Sequence, residues 1–229
     1  MRPSPSLRLA ATAGALSLMA TTGATAAVPA VTHADTQGAA STARPTATVA
    51  RVGVVARKLN VRAGRRVSVV GTARPAAAGM TALLQVRRGH RWRTLDTART
   101  AAGGRYVLHQ RVRQPMSAPA RVVIRWGASR RHAGVGRLNA YRIAHASWYG
   151  PGLYGNRLGC GGTLTSSRLG VAHKTLPCGT KLTLRHGSRV VRVAVIDRGP
   201  YVAGREYDLT EATARRLGFR GHGAILTTR

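Results

Sequence analysis

Between positions 48 and 142 apolar and polar residues alternate in short runs, separated by Gly, Pro and Arg clusters. The clearest runs fall at 66–71, 82–86, 92–98, 106–112 and 121–126. Turn residues such as Ala73-Arg74-Pro75, Arg88-Gly89-His90 and Gly103-Gly104 follow them. A period of two with no helical period predicts strands, and such strands in succession predict a β-sandwich. Val67, Val69, Leu84, Val86, Trp92, Leu95, Tyr106, Leu108, Val112, Val123 and Trp126 are expected to supply its core. Later in the chain, 181–186 and the segment from Arg189 read as a hairpin turning at Gly187-Ser188. Val193 to Ile196 is apolar on both faces and runs into Asp197-Arg198-Gly199-Pro200, where Gly and Pro break the ladder. Thr210 is a good helix N-cap, Glu211 suits the first turn and Gly218 the termination, before a last strand at 223–228. The fold class is all-β with one short helix.

The first 47 residues depart from this texture. Arg2 and Arg8 precede an apolar run at 9–20, and Ala24-Thr25-Ala26 has the small-x-small form of a signal-peptidase site. The run is too short to span a bilayer. Residues 1–26 are therefore expected to be a signal peptide, and 27–47, rich in Ala, Thr, Ser and Pro, a disordered linker. The expected protein is secreted, extracellular or associated with a cell wall.

Charge changes the picture of partners. The formal net charge is +31, and only Lys58, Lys174 and Lys181 among the 37 basic residues are not Arg. Outside a cell the polyanion within reach is a surface or wall polymer, towards which such a chain is steered. Nucleic acid is not expected, nor an oligomer. A genome-driven Arg bias that aids solubility fits the composition equally. The six acids say more, because Asp197, Glu206, Asp208 and Glu211 fall together while Asp35 and Asp96 stand apart. Such clustering suggests a carboxylate site, with Glu211 set aside for the helix. By position alone Asp197 is either a reacting group mounted on a strand end or a turn cap.

His90, His109 and His132 have no ligand spacing. Cys160 and Cys178 are the only cysteines. In an exported chain they pair as a disulfide, and without a partnered His pair they do not complete a zinc site. No metal or cofactor is expected.

Ala146-Ser147-Trp148-Tyr149-Gly150, Ala172-His173-Lys174-Thr175-Leu176-Pro177, Asp197-Arg198-Gly199-Pro200 and Asp208-Leu209-Thr210 occur in that order. Together they resemble the rare lipoprotein A (RlpA) family over residues 144–229. The resemblance implies a small six-stranded double-psi β-barrel, a fold shared with expansins and some endoglucanases, and lytic transglycosylase activity on peptidoglycan or another wall glycan. It places Asp197 as general acid and base, with His173 and Asp208 beside it. Tyr149, Tyr154, Arg198 and Glu206 become candidates for holding substrate, while Trp148 reads as core. Transglycosylation of this kind needs one carboxyl group, which protonates the glycosidic oxygen and then takes the proton of the sugar's own C6 hydroxyl. The family places a Glu in the Gly-rich loop ahead of the histidine, whereas no Asp or Glu occurs here between Tyr149 and Ile196. A non-catalytic, expansin-like module that binds or loosens glycan is therefore the alternative. Residues 48–142 resemble, in pattern only, the immunoglobulin-like modules that secreted proteins place ahead of a catalytic domain. They are read as a spacer or wall-binding module able to hold anionic wall polymers.

Overall fold

The computed structural model of the chain describes residues 48, 49 and 51–229, so the segments expected as signal peptide and linker lie outside the described residues. In chain order the first strands are β1 (Arg51–Lys58), β2 (Asn60–Arg62), β3 (Arg66–Arg74), β4 (Thr81–Arg88), β5 (Arg91–Arg99), β6 (Arg105–Arg111), β7 (Met116–Trp126) and β8 (Ser129–Tyr149). Strands β1, β3 and β6 make one antiparallel sheet, while β5, β4, β7 and β8 pair in a second. One apolar core joins them. Val67 and Val69 of β3 and Leu108 of β6 share it with Leu84 and Val86 of β4 and Ile124 of β7, because period-two alternation turns each of these towards the opposite sheet. Three expected core residues sit further out. Leu95 and Trp126 are only partly buried against the core, and Trp92 is only partly buried, with the Arg121 guanidinium 4.0 Å from its ring centroid.

Strand β8 has 21 residues and serves two sheets. Its first part pairs with β7 from Ser129 to Ala140, and from Arg142 onward it pairs with the C-terminal strands. The boundary expected at 142–144 therefore falls inside an unbroken strand. The remaining elements are β9 (Val171–Ala172), β10 (Lys181–His186), β11 (Arg189–Asp197), β12 (Tyr207–Thr210), α1 (Glu211–Leu217) and β13 (Gly223–Thr227). Their pairing order is β12-β9-β11-β10-β13-β8, and β12 pairs back onto β8. Six strands thus close on themselves, which leaves no free sheet edge in the ring.

The barrel interior is filled by Val171, Leu182, Leu184, Val193, Val195, Leu209 and Ile225, with Leu217 of α1 packed on the same cluster. Thr210 accepts from the Thr213 amide at 3.3 Å, and Gly218 closes the helix with a left-handed φ of 61°. These caps are the ones expected. Trp148 is not the core residue expected. It is 36% exposed, and with Glu211 and Phe219 it lines a surface cavity of about 430 Å3.

Candidate active site

Strand β9 is only two residues long, yet it positions both central acids. Ala172 pairs with Asp197 of β11 on one side and with Asp208 of β12 on the other, and Asp208 in turn pairs with Ser147 of β8. Residues paired across neighbouring strands present their side chains to one face. Asp197, Ala172, Asp208 and Ser147 therefore form one row across the outside of the barrel, and within it only a methyl group stands between the two acids. Two strand spacings of about 4.8 Å set their backbones roughly 10 Å apart.

Asp197 ends β11, and the following Gly199-Pro200 cannot continue the ladder. Its Oδ1 accepts from the Gly159 amide at 2.7 Å and from the Arg198 amide at 2.8 Å; its Oδ2 accepts from the Tyr149 hydroxyl at 3.0 Å. Gly159 is needed for that approach, since a Cβ there would sit 2.8 Å from Arg198 Cγ and 3.1 Å from Asp197 Oδ1. A carboxylate oxygen accepts two partners, so Oδ1 is filled while Oδ2 has one place open. Burial, the Asp197 charge and the hydrogen bond to it all push the Tyr149 hydroxyl far above its ordinary pKa, which keeps it a donor. Asp208 differs. Burial raises its carboxyl above the ordinary value, the Ser147 hydrogen bond (2.8 Å) and Arg205 pull it down, and the Asp197 charge adds to the rise.

His173 stands beside this row without touching either carboxylate. Its backbone amide donates to the Asp197 carbonyl at 3.2 Å, and its Nδ1 accepts from the amides of Thr175 (3.1 Å) and Leu176 (3.0 Å). Two donors on Nδ1 put the ring proton on Nε2, which faces Glu206 Oε1 at 3.7 Å, while the ring lies 5.0 Å from that of buried Tyr207. Glu206 is held in a two-pronged ion pair by Arg142 of β8. Burial works to raise the Glu206 carboxyl, but the bond and charge of Arg142, with His173 beside it, bring it below its ordinary value.

Burial lowers the His173 pKa and outweighs the opposing pull of Glu206. The folded protein therefore refuses a proton that the unfolded chain binds below about pH 6.5, so stability falls as pH drops through that window and is recovered above it. Melting temperatures measured from pH 5 to 8 should climb with pH in the wild type more than in His173→Gln. Parallel curves for the two proteins would show that His173 takes up its proton in the folded state.

The other expected site residues have protein partners. Arg198 donates to the carbonyls of His173 (3.1 Å) and Leu176 (2.7 Å) and to Cys178 Sγ (2.9 Å), bracing the 173–178 loop. The Tyr154 hydroxyl donates to Glu211 on α1. Cys160 and Cys178 are disulfide-bonded, with Cα atoms 5.5 Å apart. The bridge joins two loops that hang on the end of β11, through Cys160 N to the Ile196 carbonyl (3.2 Å) and Gly179 N to the Val195 carbonyl (2.8 Å). Sequence reasoning did not single out Ser147, Gly159, Ala172 or Arg142. Ser147 and Ala172 lie inside the motifs that were read, but only the strand pairing shows what they adjoin.

Residues 142–227 match a family model described as lytic transglycolase. Among curated proteins, the chain is 44% identical over 81 residues to "Probable endolytic peptidoglycan transglycosylase RlpA" of Synechocystis, covering 34% of this chain and 25% of that protein. It is 40% identical over 95 residues to the protein of the same name from Aquifex aeolicus, covering 40% of this chain and 42% of that one. It is 42% identical over 80 residues to "Endolytic peptidoglycan transglycosylase RlpA" of Campylobacter jejuni, covering 34% and 29%. The chain thus spans 25–42% of the length of these relatives. Residues 142–227 of this chain are an RlpA-like double-psi β-barrel.

Proposed function

We propose that the barrel is a lytic transglycosylase acting on the glycan strands of peptidoglycan outside the cytoplasm, with Asp197 as general acid and base. The observation that carries this reading is the pairing of Asp197 and Asp208 across the methyl of Ala172, with one hydrogen-bonding place open on Asp197 Oδ2. A proton on that oxygen is passed to the glycosidic oxygen between the sugars. The resulting carboxylate then takes the proton of the C6 hydroxyl as it attacks the anomeric carbon, so one group serves both halves of the reaction and water is not consumed. The amides of Gly159 and Arg198 on Oδ1 keep the carboxyl plane fixed through the exchange. Burial raises the Asp208 carboxyl above its ordinary value, which works against a second charge beside the reacting group. His173, Glu206 and Arg142 hold the adjoining rim, where a cavity of about 460 Å3 offers Lys174, Arg205 and His145 to the sugars.

Purified sacculi and, separately, peptide-free glycan strands incubated with the full chain should yield 1,6-anhydromuramoyl ends, read by mass spectrometry. The 161–170 segment carries no acid, and this favours the second reading of a module that binds or loosens glycan without cutting it. If neither substrate gives anhydro ends while the protein still sediments with glycan, that second reading replaces the first.

A further inference from the structure

The largest cavity described lies away from the carboxylates. It is a cleft of about 850 Å3 whose lining includes neither Asp197 nor Asp208. Lys58, Arg62, Arg65, Arg66 and Arg111 enter it from the β1–β6 region and Arg185 from β10 of the barrel, and no acid lines it. Elsewhere Arg142 pairs with Glu206 and Arg215 with Glu211, but among the described residues none of the six cleft cations has an acidic partner. Six like charges around one concave surface repel one another, and the low-dielectric walls concentrate their field.

Two of them are also held in place. Arg111 Nε donates to the Gly64 carbonyl (2.6 Å) and Arg185 Nε to the Gly187 carbonyl (2.8 Å), while their remaining N–H groups have no partner among the described residues. A guanidinium pinned at Nε presents its outer edge as a fixed fork, the geometry that suits phosphate oxygens. Asn60 adds a donor, because its Oδ1 accepts from Asn139 (2.8 Å) and Tyr141 (3.2 Å) and its amide NH2 is left over.

We infer that this junction cleft binds a phosphodiester polymer of polyols or sugars, at a site separate from the carboxylates. Several cations need several anionic groups at intervals, which a phosphodiester chain supplies. A nucleic acid would want aromatic faces for its bases. The one aromatic in the lining, Tyr141, is 1% exposed with its hydroxyl committed to Asn60. A neighbouring hollow shares Arg62, Arg185 and Leu226 with the cleft, and Ile143, which also lines it, borders the cavity at His173 and Glu206.

Titration of the full chain with poly(glycerol phosphate) of defined length, between 50 and 300 mM salt, tests the site. Arg111→Ala/Arg185→Ala should weaken binding at least tenfold at 150 mM salt. It should also reduce the log–log salt slope by about 1.4, at roughly 0.7 per phosphate contact by analogy with single-stranded nucleic acid. Arg91→Ala/Arg125→Ala removes the same charge outside the cleft and should change affinity less than twofold. If Arg111→Ala does not fold, Arg185→Ala alone carries the test, with a loss of threefold or more. Equal losses in the two pairs, equal binding of polygalacturonate, or tighter binding of a single-stranded DNA of matched charge would each overturn the proposal. The measurement reads binding alone, so it stands apart from whether the barrel cuts glycan.

Discussion

Asp197→Asn is expected to lower the rate of anhydromuramoyl-end formation by about 10²–10⁴-fold, the range that a positioned general acid and base supplies. The substitution is well suited to the question, because the amide keeps the shape of the carboxylate. Its oxygen can still accept from the Gly159 and Arg198 amides, and its NH2 can donate to Tyr149, whose hydroxyl turns to accept. What is lost is the capacity to give up a proton and take one back. The melting temperature should stay close to wild type, and glycan binding should persist. Tyr149→Phe should cost far less than Asp197→Asn, since it removes one of three donors and leaves the carboxyl in place. An Asp197→Asn protein that still cuts, beside an inert Asp208→Asn, would move the role across Ala172 to the carboxyl whose burial already favours its acid form.

Replacing both cysteines, as Cys160→Ala/Cys178→Ala, should destabilise the protein by about 3 kcal/mol on the loop-entropy estimate for a bridge of this span, 18 residues apart in sequence. At roughly 2–4 °C per kcal/mol for a chain of this size, the melting temperature should drop by about 6–12 °C. The effect should reach the site as well. The bridge ties the 160 loop to the 178 loop at the end of β11, and Gly159, next to Cys160, supplies one of the two amides on Asp197 Oδ1. Activity measured well below the melting temperature should therefore fall too, through kcat more than KM. An unchanged melting temperature would mean that the loops are held by their bonds to Val195 and Ile196 alone.

Local signals made part of this molecule legible. The Thr210 cap, the Gly218 stop, the turn at Gly187-Ser188 and the break after Asp197 each depend on one or two residues with strong backbone preferences, and each is where the sequence places it. The four ordered motifs likewise marked out the barrel segment. Strand β8 was not legible, because 129–137 is polar and Gly-rich and the later change of composition reads as a boundary rather than as a strand passing through. Strand β9 has two residues and can show no period; its pairing with β11 and β12 defines it. The same applies to the site. Tyr149 reaches Asp197 across 48 positions and Arg142 reaches Glu206 across 64, and nothing in the spacing of these residues announces contacts that barrel closure creates.

The unbroken run of β8 makes the sandwich a ruler for the barrel. Asn139, hydrogen-bonded to Asn60 and Ser117 in the sandwich, and Ser147, bonded to Asp208, are eight residues apart on one strand, roughly 27 Å at about 3.4 Å per residue. A hydrogen-bonded strand neither stretches nor pivots as a linker does. Whatever surface grips the sandwich end would meet the acids at a set height and orientation. The length of polymer between a held point and a cut would then be dictated by the strand, and inserting two residues into β8 between 139 and 147 would change that measure while keeping each side chain on its own face.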